Sequence, residues 1–296
     1  MNSTFSYVTE TYYLLTKPRI IFGNAITMVA GFSLGSFGHF NFLLFLNTLI
    51  GLSLIIGSAC VFNNYIDREA DRKMSRTQNR PLAFGSISTQ HAIFFALFIG
   101  AIGLFFLAMF TNWIATGLAF CGFLVYVIFY SLSKYYTHHS TLIGTLAGAM
   151  PPVVGYCSAS QTLDVGAFLF FTVLVFWQMP HFFAIAIYRF RDYQAASIPV
   201  YPLVKGIFKT KIQMTVYAFG FLLSLILLGI SQNLGAFTLF TSILSALWVG
   251  QIIGGFWAKD DVLWAKRVFF FSLFVILAIS FSILFWSSAP NLAKGL

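Results

Sequence analysis

The sequence predicts an all-α membrane protein: a polytopic helical bundle of about nine transmembrane helices with its N-terminus in the cytoplasm. Three observations predict it. Of the 296 residues, 59% are hydrophobic and only 8% are charged, against roughly 25% charged in a soluble domain. The apolar residues come in long, nearly continuous runs, not in the alternation that outer-membrane barrel strands need. The few charges gather between those runs.

Windows of roughly 20 apolar residues place spans near 20–38, 42–62, 92–110, 113–133, 141–160, 165–187, 211–230, 236–257 and 267–288. Two long polar loops remain, 63–91 and 188–210. The charges test the count independently. With the N-terminus inside, all but Lys294 of the 17 basic residues fall on one side, as the positive-inside rule requires. Both long loops then face the cytoplasm. The net charge of +9 follows from this topology, and no nucleic-acid partner is expected. The first residues contain Glu10 and a Lys17-Pro18-Arg19 cluster. They resemble neither a signal peptide nor an Arg-rich, acid-free transit peptide. The expected location is the inner membrane of a bacterium, in one domain over 1–296. Cys60, Cys121 and Cys157 lie in apolar runs without CxxC spacing and read as packing residues.

The most informative stretch is "CVFNNYIDREADRKMSRTQNRPL", residues 60–82. The chain has only 8 acidic residues, yet three of them, Asp67, Glu69 and Asp71, lie within five positions here. Asn63, Asp67 and Asp71 stand at i, i+4 and i+8, which aligns them along one stripe of a helix, with Glu69 on the other side. An amide and two carboxylates at one-turn spacing suit Mg²⁺, which takes one or two carboxylates and completes its shell with water and substrate phosphates. Arg76 and Arg80 can fork onto phosphate oxygens. Lys205, Lys209 and Lys211 in the other loop can add point charges.

"NNYIDREAD" resembles the N-[DN]-x-x-D-x-x-x-D motif of the UbiA superfamily of intramembrane prenyltransferases, and "RTQNRPL" resembles its R-T-x-x-R-P-L tract. "TKPRIIFGN", "TLIGTLAGAMPPVVGYC", "WQMPHFFAIAIYRFRDYQAASIPV" and "LVKG" are similar to the haem-farnesylating family within it. The likeness runs from about residue 13 to 288. It implies transfer of farnesyl from farnesyl diphosphate to a vinyl group of haem b, with water added. Asn63, Asp67 and Asp71 are then the Mg²⁺ ligands, with Arg76 and Arg80 on the diphosphate. It also implies contact with haem A synthase or a terminal oxidase that uses the product.

Many superfamily members carry a second motif, D-x-x-x-D. Here Asp192 is present, but Ala196 and Tyr188 stand where its partner would be. Arg189, Arg191 and Lys205 are expected to take over part of the diphosphate charge. His181, after "WQMP", is either a helix-packing residue or an axial haem ligand. Tyr65, Trp177 and Phe182 are candidate ring faces for an allylic cation. Gly144 and Gly148, followed by Pro151-Pro152, predict close packing and a kink. Two other readings stay open: a prenyltransferase acting on an aromatic acid or quinone precursor, and a transporter or haem carrier without chemistry.

Overall fold

The computed structural model describes residues 2–287, with side chains from 7 to 285, so Lys294 lies outside the described residues. No strand occurs among them. The helices are α1 (Asn2–Leu15), α2 (Pro18–Gly35), α3 (Phe42–Lys73), α4 (Thr89–Phe110), α5 (Trp113–Ser133), α6 (Ser140–Ser160), α7 (Val165–Tyr188), α8 (Ile207–Ser231), α9 (Gly235–Trp257) and α10 (Asp261–Ser287). Polar caps start several of them. Asn41, Ser88, Asn112 and Asp164 each accept a hydrogen bond from the backbone of the first turn that follows, which satisfies a donor the helix leaves open.

Among the described residues eight helices, α3 to α10, are long and apolar enough to cross a membrane. Exposed phenylalanines such as Phe94, Phe168, Phe219 and Phe281 cover their outward faces, a surface that suits lipid and not water. The expected ninth span is α2. Its 18 residues include Arg19 and Asn24, and it does not meet the same measure of apolarity. The reason is its place. From Thr27 to Gly35 it is largely buried, so protein and not lipid surrounds it. It runs parallel to α6: Gly31 meets Pro152 and Gly35 meets Tyr156, so close that a Cβ at either glycine would collide with the facing backbone.

Each helix from α2 to α10 packs on the next, and α10 closes back onto α2. One core lies mainly among α7 to α10. A second lies among α2 to α6. The paired helices α2 and α6 contribute to both. The expected break at the prolines is present: α6 is interrupted at Ala149, with Pro151 and Pro152 in the first turn of its second half. Cys60 and Cys157 are buried as expected, whereas Cys121 lies on the exposed surface.

The helix that matters most is α3. Its 32 residues make it about 48 Å long, against roughly 30 Å of hydrocarbon. Its last turns, from Asn63 onward, therefore continue beyond the apolar layer as helix, not as loop.

Candidate active site

The stripe predicted from spacing is present, and it is buried. Asn63, Asp67 and Asp71 are 3%, 6% and 2% exposed, whereas the side chain of Glu69 is 64% exposed and pairs with Arg72. Buried carboxylates need partners, and each motif residue has a cation from a different segment. Lys17, between α1 and α2, donates to Asn63 Oδ1 (2.5 Å). Lys134, just past α5, pairs with Asp67 Oδ2, and Tyr135 donates to Asp67 Oδ1 (2.9 Å). Arg80 spans both oxygens of Asp71 (3.0 and 2.8 Å), and Thr77 donates to the Asp71 carbonyl (3.1 Å).

Local geometry sets these partners up. Lys17 holds a left-handed backbone (φ 52°), an unusual state for a non-glycine residue. The turn is tied to α3 by Asn64, whose Nδ2 donates to the Leu15 carbonyl (2.9 Å). Burial, then the nearby Arg80 charge, lowers the Lys17 ammonium to about 8. At the end of α5, Val125–Tyr130 winds as a π-helical turn, a feature frequent at functional sites. There Ser131 Oγ donates to the Tyr126 carbonyl (2.9 Å) and accepts from Asn63 Nδ2 (3.0 Å). The rings of Tyr126 and Tyr130 stack 5.3 Å apart, and Lys134 Nζ lies 5.7 Å from the Tyr130 ring centre. Burial first, then the Asp67 charge, raises the Tyr135 hydroxyl well above its ordinary range, so it stays protonated and keeps donating.

The second long loop meets the end of α3 here. Ser75 donates to Asp192 Oδ1 (3.1 Å), and Arg189 lies 3.9 Å from the other Asp192 oxygen. The Nε of Arg189 is buried without a hydrogen-bond partner. Arg76 is exposed. Arg191 is exposed. Ala196 is buried with Ala70, Met74, Ala186, Ile198 and Val200. A carboxylate there would be desolvated among alkyl groups.

Other candidates lie elsewhere. Tyr65 is on the opposite face of α3, packed towards Leu15, Leu82 and Ala92, with Arg68 4.6 Å over its ring. Lys205 is exposed beside His138. Lys211 is not a phosphate lysine: it is buried, bonded to the Gly255 carbonyl (2.6 Å) and Asp261 (2.5 Å). Trp177 and His181 stack 4.8 Å apart and face α10. Trp177 Nε1 donates to the Ser272 carbonyl (3.1 Å). Ser272 Oγ donates to the Phe269 carbonyl (2.6 Å), so His181 Nδ1, 2.7 Å from Ser272 Oγ, is the donor. This leaves the lone pair on Nε2, the tautomer that can bind iron. Phe182 is 37% exposed beside it. Gly144 lies against the Tyr130 ring and Gly148 against Gln178.

Sequence reading missed Lys17, Ser131, Lys134, Tyr135 and the tyrosine stack. The signals were faint: a lysine just before a helix-starting proline, and the one basic residue between two spans.

The chain is a helical membrane bundle with a buried acidic stripe ringed by cations, and it matches the UbiA prenyltransferase family model over residues 24–274. The chain belongs to that family. Its similar curated relatives are protoheme IX farnesyltransferases. The protein of Protochlamydia amoebophila is 50% identical over 275 residues, covering 93% of this chain and 97% of the relative. That of Cronobacter sakazakii is 45% identical over 273 residues, 92% of each. Two solved structures share the fold. A digeranylgeranylglyceryl phosphate synthase aligns with a TM-score of 0.79 at 16% identity over 95% of this chain and 98% of that one. A UbiA homolog from Archaeoglobus fulgidus, bound to GPP and Mg²⁺, aligns at 0.69 with 13% identity over 93% of this chain and 99% of that one.

Proposed function

We propose that this chain transfers the farnesyl group of farnesyl diphosphate to a vinyl group of haem b, with addition of water and release of diphosphate. The observation that carries the reading is the buried stripe of Asn63, Asp67 and Asp71, each held by a separate cation at the end of α3. The names of the relatives supply the acceptor and the donor.

The donor set fits Mg²⁺. It consists of amide and carboxylate oxygens on adjacent turns, with no sulfur or nitrogen ligand. Among the described residues no cluster of three His, Cys, Asp or Glu side chains forms, so phosphate oxygens would have to complete the shell. Mg²⁺ held by Asn63, Asp67 and Asp71 would supply positive charge against the oxygen that leaves. Lys17, Lys134, Arg76 and Arg80 would bind the diphosphate, and Arg189 has an unused donor for the same anion. As the carbon–oxygen bond breaks, its electron pair stays with the diphosphate. The stacked rings of Tyr126 and Tyr130 would face the allylic cation and exclude water from it. The vinyl π electrons then form the new carbon–carbon bond. Water adds to the resulting cation and loses a proton. His181 Nε2 is the ring atom that would meet the haem iron.

In this reading the N-terminus and both long loops lie in the cytoplasm and the membrane is a bacterial inner membrane, because the basic residues crowd one end of the bundle. The product would pass to haem A synthase or a terminal oxidase. The test is a product assay in detergent with haem b, farnesyl diphosphate and Mg²⁺, read by mass spectrometry. A Mg²⁺-dependent gain of farnesyl plus water is expected. Unmodified haem from folded, haem-binding protein would reject this acceptor.

A further inference from the structure

The cations at the active-site end of the bundle divide into two kinds. Lys17, Lys134, Arg80 and Lys211 each pair with an oxygen of this chain. Lys266 and Arg267, near the start of α10, are exposed and make no ion pair among the described residues. The acids nearest in sequence are already used. Asp261 is bound by Lys211. Asp260 accepts from the backbone of Val262 and Leu263 (2.9 and 3.0 Å).

These two cations lie over a groove between α9 and α10 of ≈ 530 Å³, lined also by Gln251, Leu263, Phe270, Phe271 and Phe274. The inner side of the hairpin is braced, with Trp264 Nε1 donating to the Gln251 carbonyl (3.0 Å). The Gln251 side-chain oxygen is buried without a hydrogen-bond partner. A buried acceptor left open costs free energy unless a donor reaches it. From Lys266 to Phe274 the groove runs about 12 Å along the helix. α10 is long and apolar enough to cross a membrane, so its phenylalanines face acyl chains and its cations face headgroups.

We propose that this groove binds one anionic phospholipid such as phosphatidylglycerol. The phosphate pairs with Lys266 and Arg267, and one acyl chain lies along Phe270, Phe271 and Phe274. Charge complementarity selects this occupant: a zwitterionic lipid offers two unpaired cations no net charge. The site is separate from the Asp67–Asp71 pocket, and the proposal does not depend on which prenyl acceptor is used.

The test is native mass spectrometry of the full chain, delipidated in detergent and titrated with phosphatidylglycerol and phosphatidylcholine. The expected result is one retained phosphatidylglycerol, preferred roughly tenfold or more over phosphatidylcholine. The preference should vanish in the double variant K266Q/R267Q and persist in Lys259→Gln, a cation of the same hairpin outside the groove. No preference in the parent protein, or a preference that survives K266Q/R267Q, would overturn the proposal. So would displacement of the lipid by millimolar inorganic phosphate, which would make the groove a simple anion site.

Discussion

The two long loops hold similar numbers of basic residues but are built differently. In the first, three motif residues lie on a continuous helix, buried, each held by a partner cation. In the second, the lone Asp192 sits on a six-residue helix, and the position four residues on is an alanine packed in a small apolar cluster. The lesson concerns how an anionic leaving group can be held. A long rigid helix sets oxygen spacing without tertiary help, so the first loop can carry the exacting part of the site. The second loop meets the end of that helix through Ser75–Asp192 and a small apolar cluster.

The strongest way to break this comparison is Asp67→Asn. The change removes the charge that Lys134 and Tyr135 hold in place, and turnover should fall by about a thousandfold, since electrostatic groups at a leaving anion carry effects of that size. Haem binding, followed by absorption, should remain. A loss below tenfold would move the chemistry out of the first loop. Next comes Ala196→Asp, which restores the missing carboxylate. Burial among Ala70, Met74 and Ile198 should cost about 1–3 kcal/mol, visible as a lowered thermal midpoint, with no gain in Mg²⁺ affinity by calorimetry. A tighter metal site would show that the second loop lacks only an acid. Arg189→Ala should raise KM for farnesyl diphosphate by about tenfold, near the strength of one charge-assisted hydrogen bond, with little change in kcat. An unchanged KM would remove the second loop from diphosphate binding. Tyr65→Phe should leave both constants within error, because the ring faces away from the pocket; a clear drop would mean that α3 presents both faces to substrate.

The fold and the stripe were readable because both are short-range. Apolar run lengths report spans, and spacings of four report a helix face. The same rule also excludes Tyr65: two residues from Asp67, it sits about 200° round the helix. The count of spans was less certain at α2, where burial by neighbours replaces the apolarity that lipid demands of the rest. The second carboxylate was readable as missing, but not the reason: Ala196 completes an apolar contact between the two loops.

The partners of the stripe were not readable. Lys17 stands 46 residues before Asn63, and Tyr135 stands 68 after Asp67. Nothing in the local sequence at Lys17 or Lys134 distinguishes an ion-pair donor from a loop charge. Lys211 makes the point in reverse, since it reads as a phosphate lysine and is a buried strut to Asp261. By itself the sequence determined that this chain is a membrane bundle, that its polar face lies at one end, and that an amide and two carboxylates share one stripe. Those properties depend on composition and on the 3.6-residue period. Only the tertiary structure decided which cations neutralise that stripe and which remain free, because that depends on segments far apart in the chain meeting in a pocket where an unpaired charge is too costly to leave.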